Sequence, residues 1–355
     1  MSSLESRTIA TSRLSTHVYV AGDPSKTPVM LIHGNASSAP FFDRVQAELA
    51  KDYFVFAPDM RGYGKTETKP VDATRGVRDF SDDLAELLDS PELGLAKGAA
   101  VHVVGWSAGG NVAMQMALDH NPRVASLTLI NPGSPMGYGG TKDVAGTPCY
   151  ADFAGSGGGL ANPQFVELIE AKERGAEQQA APRNVMNFFY WKPPFKSEPE
   201  QEERYLDALL ATATGPGNYP GGGTPSDNWP NAAPGTDGMN NALSPKYLDQ
   251  TGLAGLERKP PLLWVRGADD QIVSDRSMFD AGTLGELGAI PGWPGAEVYP
   301  PQPMVSQTRA VFERYAQGGG KYREEVFEDC GHAPHIEKHD AFMTSLRAFL
   351  TEAGA

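Results

Sequence analysis

The chain has 355 residues, of which 40% are hydrophobic and 21% are charged, a composition typical of a folded globular protein and not of a disordered or fibrous one. Its formal net charge of −14 at pH 7 disfavours nucleic acids and anionic membranes as partners, because those surfaces bind basic patches. The same acidity disfavours a strongly anionic substrate.

Targeting and redox signals in the sequence are few. Residues 1–10 contain no apolar stretch long enough for a secretory signal, and no segment approaches the roughly 18 apolar residues of a membrane span. The two cysteines, Cys149 and Cys330, are too few for a disulfide scaffold, and we interpret them as reduced thiols. One disulfide between them is the less favoured alternative. We therefore expect a cytoplasmic protein.

Short apolar runs alternate with amphipathic stretches in the first third of the chain. This pattern predicts strands of a largely parallel sheet that are separated by crossover helices. The predicted strands are residues 29–32, 53–57, 100–104 and 127–130, and the predicted helices are residues 41–50, 77–88 and 108–120. The last of these helices ends before Pro122.

From residue 134 to 244 glycine and proline become frequent and strand alternation is lost. Helical spacing persists at residues 163–174 and 200–211. An insert of this length within a series of strands and helices predicts a cap over a functional site. We therefore assign residues 1–133 and 245–355 to the core and residues 134–244 to the cap.

The sheet resumes after the predicted cap. Strands are predicted at residues 261–266 and 322–327, and a C-terminal helix is predicted at residues 340–351, where apolar residues recur on one face. A second insertion at residues 279–303 is rich in loops and proline and separates these two strands.

Residues 105–109 read Gly-Trp-Ser-Ala-Gly and lie directly between a predicted strand and a predicted helix. This context favours a nucleophile elbow, in which Ser107 occupies a strained turn that small flanking residues permit. A phosphate-binding turn is the alternative, but no Gly-x-Gly-x-x-Gly or Lys-Ser/Thr motif follows. Ser107 is therefore the candidate nucleophile.

Two backbone N–H groups are candidates for stabilising negative charge on a substrate oxygen. Ala108 begins the helix after the nucleophile, and Asn35 lies in the loop after the strand at 29–32. The side chain of Asn35 either contacts the substrate or caps this loop. For His33 we expect a structural role, with its imidazole hydrogen-bonded to the backbone.

A serine hydroxyl needs a base, and histidine is suited because its pKa lies close to neutrality. His332 follows the last predicted strand and comes last in the chain order serine, acid, histidine. Asp270, three residues after Gly267, is the favoured acid that holds the histidine in one tautomer. Its neighbour Asp269 is expected to be a solvated turn residue.

Other polar residues fit these roles less well. Asn131 occupies the alternative acid position, after the strand at 127–130, but carries no charge. The spacing of His332, His335 and His339 would suit a metal on one helical face, but Pro334 interrupts such a helix. We expect neither a metal nor a cofactor.

The order Ser107, Asp270, His332, together with the turn Asp-Met-Arg-Gly-Tyr-Gly at residues 59–64, resembles the α/β-hydrolase fold superfamily over about two thirds of the chain. The resemblance implies a mostly parallel central sheet flanked by helices, with a large cap inserted in the second half. The turn and the His-Gly-Asn segment at 33–35 are similar to those of haloalkane dehalogenases and epoxide hydrolases. Those enzymes use aspartate where this chain has Ser107, and serine forms an acyl or tetrahedral species in place of an alkyl ester.

The resemblance implies a serine hydrolase that cleaves a carboxylic ester or a lactone through an acyl-enzyme on Ser107. Two alternatives stay open: a carbon–carbon bond hydrolase of ring-cleavage diketones, and a non-catalytic small-molecule receptor on the same fold. The expected partner is a small, uncharged, apolar substrate, and a homodimer is left open.

Aromatic residues are candidates for substrate contacts. We expect such contacts from Trp106, next to the nucleophile, and from Trp191 in the cap. Trp191 belongs to an aromatic set that either lines an apolar pocket or forms the core of the cap, and the core is favoured. The set comprises Phe188, Phe189, Tyr190, Trp191 and Phe195.

Overall fold

The structure is a computed structural model that describes residues 4–354. Its strands in chain order are β1 (Glu5–Ala10), β2 (Ser15–Ala21), β3 (Pro28–Ile32), β4 (Phe54–Pro58), β5 (Val101–Trp106), β6 (Val124–Ile130), β7 (Thr214–Gly215), β8 (Tyr219–Pro220), β9 (Gly223–Pro225), β10 (Ala232–Pro234), β11 (Leu262–Gly267) and β12 (Tyr322–Phe327). One central sheet has the strand order β1-β2-β4-β3-β5-β6-β11-β12. In it, β2 pairs antiparallel with β1 and β4, and the other five pairings are parallel.

Helices connect the strands of this sheet. In chain order they are α1 (Asp43–Leu49), α2 (Arg78–Asp89), α3 (Ala108–Asp119), α4 (Pro163–Glu170), α5 (Pro182–Val185), α6 (Pro199–Leu210), α7 (Met239–Ala242), α8 (Ala281–Glu286), α9 (Met304–Gln317), α10 (Pro334–Glu337) and α11 (His339–Ala353). A π-helical turn, Met186–Tyr190, follows α5. Within residues 4–354, none of the helices is both long enough and apolar enough to cross a membrane.

The six predicted strands are all present in the central sheet, and β12 has the predicted bounds. Strands β1 and β2 and helix α9 were not predicted. Strand β1 lies at the edge of the sheet and exposes most of its side chains, so its sequence carries no apolar run. The exposure of β1 therefore explains why its sequence gives no strand signal.

Side chains of the central strands alternate between two apolar cores on opposite faces of the sheet. In β5, Val101 and Val103 belong to one core, whereas Val104 and Trp106 belong to the other. Because both faces are covered, the strands read as nearly continuous apolar runs. The carboxyl ends of the parallel neighbours β5, β6, β11 and β12 consequently meet at one edge of the sheet, where polar loops begin.

The long insert lies between β6 and β11 and contains α4–α7, as well as two two-stranded sheets that were not predicted. These strands have two or three residues each, too few for a visible alternation. The second insertion packs on the first, since the rings of Trp229 and Tyr299 lie 4.9 Å apart and the indole of Trp229 donates to the Pro291 carbonyl at 2.8 Å. The division at residues 134 and 244 stays a prediction.

Gly109, in the first turn of α3, packs directly against the backbone after β3. A Cβ built on it would lie 2.3 Å from the Ile32 carbonyl oxygen and 2.4 Å from that of His33. Gly109→Ala would normally stabilise a helix by about 1 kcal/mol. Here we expect the steric overlap to make the substitution destabilising. The free energy of unfolding, measured by urea denaturation, should fall by about 1–3 kcal/mol.

Gly255→Ala is the matched control, because nothing lies within 4 Å of a Cβ at that position. We expect its stability to stay within about 0.5 kcal/mol of the parent chain. A Gly109→Ala protein as stable as the Gly255→Ala protein would contradict the close packing of α3 on β3.

Candidate active site

Ser107 lies on the sharp turn between β5 and α3. Its backbone has φ 56° and ψ −125°, a conformation that residues other than glycine rarely adopt. The turn is held by the Ser107 N–H, which donates to the Ile130 carbonyl at 2.9 Å. A Cβ on Gly105 would lie 2.4 Å from the Gly109 carbonyl oxygen, so strand and helix meet too closely for a side chain. This is the geometry of a nucleophile elbow.

The structure brings His332 and Asp270 together at the same edge of the sheet. The Nδ1 atom of His332 donates to Oδ2 of Asp270 at 2.7 Å, and both side chains are buried. The other carboxylate oxygen of Asp270 accepts from the backbone N–H groups of Ile272 at 2.7 Å and Val273 at 3.1 Å. The carboxylate is thus held in one orientation and leaves Nε2 of His332 as the unprotonated nitrogen.

Asp269 points away from this pair. Its side chain is exposed and accepts from Nζ of Lys192 at 2.9 Å. Adjacent aspartates therefore occupy different surroundings, one on the histidine and one at the surface. The position of Asp270 agrees with the choice made from its place in the loop.

Two side chains at the ends of sheet strands hydrogen-bond to the backbone of the His332 loop and hold it in place. The indole N–H of Trp106 donates to the His332 carbonyl at 2.8 Å, and Nδ2 of Asn131 donates to the same oxygen at 2.9 Å. Asn131 also accepts from the Gly267 N–H at 3.2 Å, so it connects the ends of β6 and β11 to this loop. Sequence reasoning used Asn131 only to exclude a second acid. Its place directly after a buried strand was a signal for such a role.

The Ser107 hydroxyl makes no hydrogen bond to His332 within residues 4–354. Ser107 is partly exposed, whereas His332 and Asp270 are buried. Catalytic hydrogen bonds are often loose without substrate and tighten in the complex, so this geometry is compatible with a serine–histidine pair.

The loop after β3 lies beside the nucleophile. A Cβ on Gly34 would lie 2.9 Å from Cβ of Ser107. In the described chain, the backbone N–H groups of Asn35 and Ala108 donate to no protein acceptor. These two groups are therefore free to bind an oxygen placed next to Ser107.

The side chain of Asn35 is bound within the protein. Its Nδ2 donates to Oδ1 of Asn240 at 2.8 Å, and its Oδ1 accepts from the hydroxyl of Tyr63 at 2.6 Å and from the Ala36 N–H at 3.0 Å. Of the two roles left open by the sequence, these contacts favour capping of the loop. They also orient the backbone that carries the Asn35 N–H.

His33 ties the same loop to its neighbours. Its Nδ1 donates to the Gly34 carbonyl at 2.8 Å, and its Nε2 accepts from the Met60 N–H at 2.9 Å. Both contacts require the neutral imidazole. Burial lowers the pKa of His33 and favours that form. These bonds agree with the structural role expected for this residue.

The two tryptophans expected to contact substrate are buried in the hydrophobic interior of the protein. Trp106 is 1% exposed and stacks on Phe41, with ring centroids 5.3 Å apart. Trp191 is fully buried and packs against Phe195 and Tyr205. An enclosed ring offers no surface to a ligand. Trp106 instead supports the His332 loop, and Trp191 packs among aromatic side chains of the long insert.

The aromatic set in the cap divides between the two predicted roles. Tyr190 and Trp191 are buried, and the hydroxyl of Tyr190 donates to the Ala36 carbonyl at 2.9 Å. Phe189 instead meets Phe279, from the loop that follows Asp270, with ring centroids 5.0 Å apart. Phe279 is 43% exposed, so this aromatic pair retains an open apolar surface.

The remaining histidines of the C-terminal segment face in different directions. His335 is buried against Phe42 and Trp106, and burial lowers its pKa well below the usual range. Nε2 of His339 donates to Oε1 of Glu48 at 2.7 Å. Among the described residues, no group of three or more His, Cys, Asp or Glu side chains is arranged to hold a metal ion.

A cavity of about 230 Å³ opens elsewhere, between α6, strand β2 and the loops after β3 and β4. Its lining includes Lys65, Arg204 and Asp207 but none of the residues that the sequence assigns to the site. Arg204 is occupied by Asp43, and Asp207 by Arg174. The cavity is therefore separate from the Ser107 turn.

Trp106→Phe tests whether this residue holds the His332 loop or contacts the substrate. The change keeps a ring beside Phe41 but removes the N–H that donates to the His332 carbonyl. We expect the free energy of unfolding to fall by about 1 kcal/mol and kcat to fall with little change in KM. Urea denaturation and steady-state kinetics measure both effects. A raised KM at unchanged kcat would instead indicate a substrate contact.

Comparison with known proteins places these features in a family. The family model described as alpha/beta hydrolase fold matches residues 27–281, a range that includes Ser107 and Asp270 and ends before His332. A relative from Caulobacter vibrioides, named "Putative carbamate hydrolase RutD", is 33% identical over 117 residues, 32% of this chain and 41% of the relative. The 2-hydroxymuconate semialdehyde hydrolase of Pseudomonas sp. strain CF600 is 33% identical over 127 residues, 35% of this chain and 42% of the relative. The chain thus matches about two fifths of the length of these curated relatives.

Solved structures match over nearly the whole chain. A thermophilic esterase from Thermogutta terrifontis has a TM-score of 0.57 at 19% identity, covering 99% of this chain and 100% of that one. The enol-lactonase from Burkholderia xenovorans LB400 has a TM-score of 0.60 at 16% identity, covering 97% of this chain and 100% of that one. At such identities the likeness concerns the fold. Sheet order, elbow and family model agree, and the chain belongs to the alpha/beta hydrolase fold family.

Proposed function

We propose that this hydrolase cleaves a carboxylic ester or a lactone through an acyl-enzyme on Ser107. The observation that carries the proposal is the 2.7 Å hydrogen bond from Nδ1 of His332 to Asp270 at the edge where the Ser107 turn also lies. It leaves Nε2 of the histidine as a base beside a serine on a strained turn.

The acylation step uses groups on both sides of Ser107. Nε2 of His332 takes the hydroxyl proton while Oγ of Ser107 attacks the substrate carbonyl carbon. The N–H groups of Asn35 and Ala108 hold the resulting oxyanion, and the dipole of α3 points its positive end at the same place. His332 then gives its proton to the leaving alcohol as the carbon–oxygen bond breaks.

Deacylation repeats these roles with water. His332 takes a proton from the water that attacks the acyl carbon, and returns it to Oγ of Ser107 as the carboxylic acid leaves. Asp270 stays ionised and holds the imidazole in one tautomer through both steps. In a lactone the alcohol and the acid belong to one product.

An uncharged, apolar substrate is part of the proposal. The pair Phe189 and Phe279 supplies exposed aromatic surface next to the loop that carries Asp270, which suits an acyl or aryl group. The chain carries a net charge of −14, which repels an anionic group from the entrance. A cytoplasmic location completes the proposal.

Carbon–carbon bond hydrolysis is the second candidate, favoured by one specific observation. A relative that is 33% identical over 127 residues is named 2-hydroxymuconate semialdehyde hydrolase. Such a reaction also places charge on a carbonyl oxygen beside the nucleophile and uses a histidine for proton transfer. Substrate preference therefore separates the two candidates better than the geometry of the triad does.

Ser107→Ala tests the proposed nucleophile. We expect kcat for acyl p-nitrophenyl esters to fall by about 10⁴-fold or more, because the acyl group has no oxygen to bind. Labelling by a fluorophosphonate should disappear, while thermal stability stays close to that of the parent chain. The measurements are ester hydrolysis across graded acyl lengths and mass spectrometry of the labelled protein.

The same parent protein is assayed on lactones and on vinylogous diketones. Faster turnover of the diketones would select carbon–carbon hydrolysis, and no turnover of any class would favour a receptor. Phosphonate labelling that persists at another serine after Ser107→Ala would reject the proposed acyl-enzyme.

Asp270→Asn and Asp269→Asn form a matched pair at adjacent positions. Asp270→Asn removes the charge that stabilises protonated His332 and puts an amide N–H where Nδ1 needs an acceptor. We expect kcat to fall roughly 10³–10⁴-fold. Asp269→Asn breaks only a surface contact with Lys192, and its kcat should stay within about twofold. Equal losses in the two variants would contradict the assignment of the acid.

A further inference from the structure

Glu337, the last residue of α10, accepts hydrogen bonds from two distant parts of the chain. Its Oε1 accepts from the Gly331 N–H at 2.8 Å, and its Oε2 accepts from the Lys192 N–H at 2.9 Å. The thiol of Cys330 lies 3.7 Å from Oε1 and donates to it. Every one of these donors belongs to the His332 loop or to the cap.

The two backbone donors lie next to functionally placed residues. Gly331 directly precedes His332, and Lys192 directly follows the buried Trp191 of the cap. A Cβ on Gly331 would lie 2.7 Å from the Lys192 nitrogen, so cap and loop approach each other closely here. One carboxylate therefore lies at the point where the cap meets the proposed base.

We propose that Glu337 is a positioning residue that fixes the cap relative to His332. The cap and the proposed base therefore keep one position relative to each other. The proposal rests on the function proposed above. The carboxylate touches neither Ser107 nor the substrate, and it acts through the backbone on both of its sides.

The ionisation of Glu337 changes close to neutral pH. Burial raises its pKa to about 7, against the hydrogen bonds from Lys192, Gly331 and Cys330, which lower it. Two of the charged or titratable groups around Glu337 pair with other residues. Nζ of Lys192 pairs with Asp269 and Asp329, and His332 pairs with Asp270. The remaining neighbours are the Cys330 thiol, the Lys338 ammonium that follows Glu337 in the chain and the buried imidazole of His335.

Protonation changes what the carboxyl can accept. The ionised form accepts from the cap and the loop at once, whereas the protonated form has one oxygen as a hydroxyl that donates. One of the two backbone bonds is then weakened. The junction should loosen as the pH falls through about 7.

Glu337→Gln removes one acceptor, because the amide NH₂ faces a backbone N–H. We expect deuterium uptake to rise together in the peptides that cover residues 190–193 and 329–333, measured by hydrogen exchange with mass spectrometry. We also expect kcat to fall about tenfold with a raised KM, since one backbone hydrogen bond of this junction is lost and the other is made to a neutral oxygen. The acid limb of the kcat profile should lose the contribution that Glu337 makes near pH 7.

Glu328→Gln is the matched control, because it makes the same chemical change on an exposed glutamate of the same loop. Its uptake, kcat, KM and acid limb should match the parent protein. Glu337→Asp keeps the charge but is too short to reach both donors. It should raise deuterium uptake in both peptides while the acid limb keeps the contribution of a carboxyl at position 337, and it serves as the second variant if the glutamine protein folds poorly.

Unchanged uptake and kinetics in both Glu337 variants would overturn the proposal, as would raised uptake in only one of the two peptides. Hydrogen exchange needs no substrate. Coupled uptake in a protein without ester turnover would therefore keep the role of Glu337 and reject the proposed function, so the two failures are distinguishable.

Discussion

The close approach of β5, α3 and the loop after β3 is the constraint on which the site depends. Gly105 and Gly109 leave no room for a Cβ between strand and helix, and Gly109 also packs on the backbone of Ile32 and His33. This packing forces Ser107 into a positive φ and brings the Asn35 loop beside it. The positions of Ser107 and of the Asn35 and Ala108 N–H groups follow from one arrangement of backbone, which costs strain that the surrounding core must offset.

The proposed base depends on a different kind of contact. His332 lies in a loop at the edge of the sheet, and its orientation comes from hydrogen bonds of Trp106, Asn131 and Asp270. Each of these residues lies at or beyond the carboxyl end of a separate strand. Because neighbouring parallel strands end at the same edge of the sheet, residues from distant parts of the sequence meet there and hydrogen-bond to His332 and its loop.

Much of the core could be predicted from the sequence because its signals are local. The apolar strands, the elbow and the choice of Asp270 over Asp269 all rest on residues close to each other in the chain. The burial of Trp106 could also be predicted from the sequence, since Trp106 shares a strand face with the apolar residue Val104. The partner of Asn35 was not, because Asn240 is 205 residues away. Glu337 left no signal at all, since the backbone N–H groups that it binds exist at nearly every residue.

The insert between β6 and β11 contacts the loops on both sides of Ser107 through residues 190–192. Tyr190 donates to the Ala36 carbonyl on the oxyanion side, and the Lys192 N–H donates to Glu337 on the side of the base. Trp191 between them is buried and anchors the segment. A shift of this segment would therefore move the loop of Asn35 and the loop of His332 together. The position of this segment and the geometry around Ser107 are accordingly coupled, although the sequence places them in separate regions.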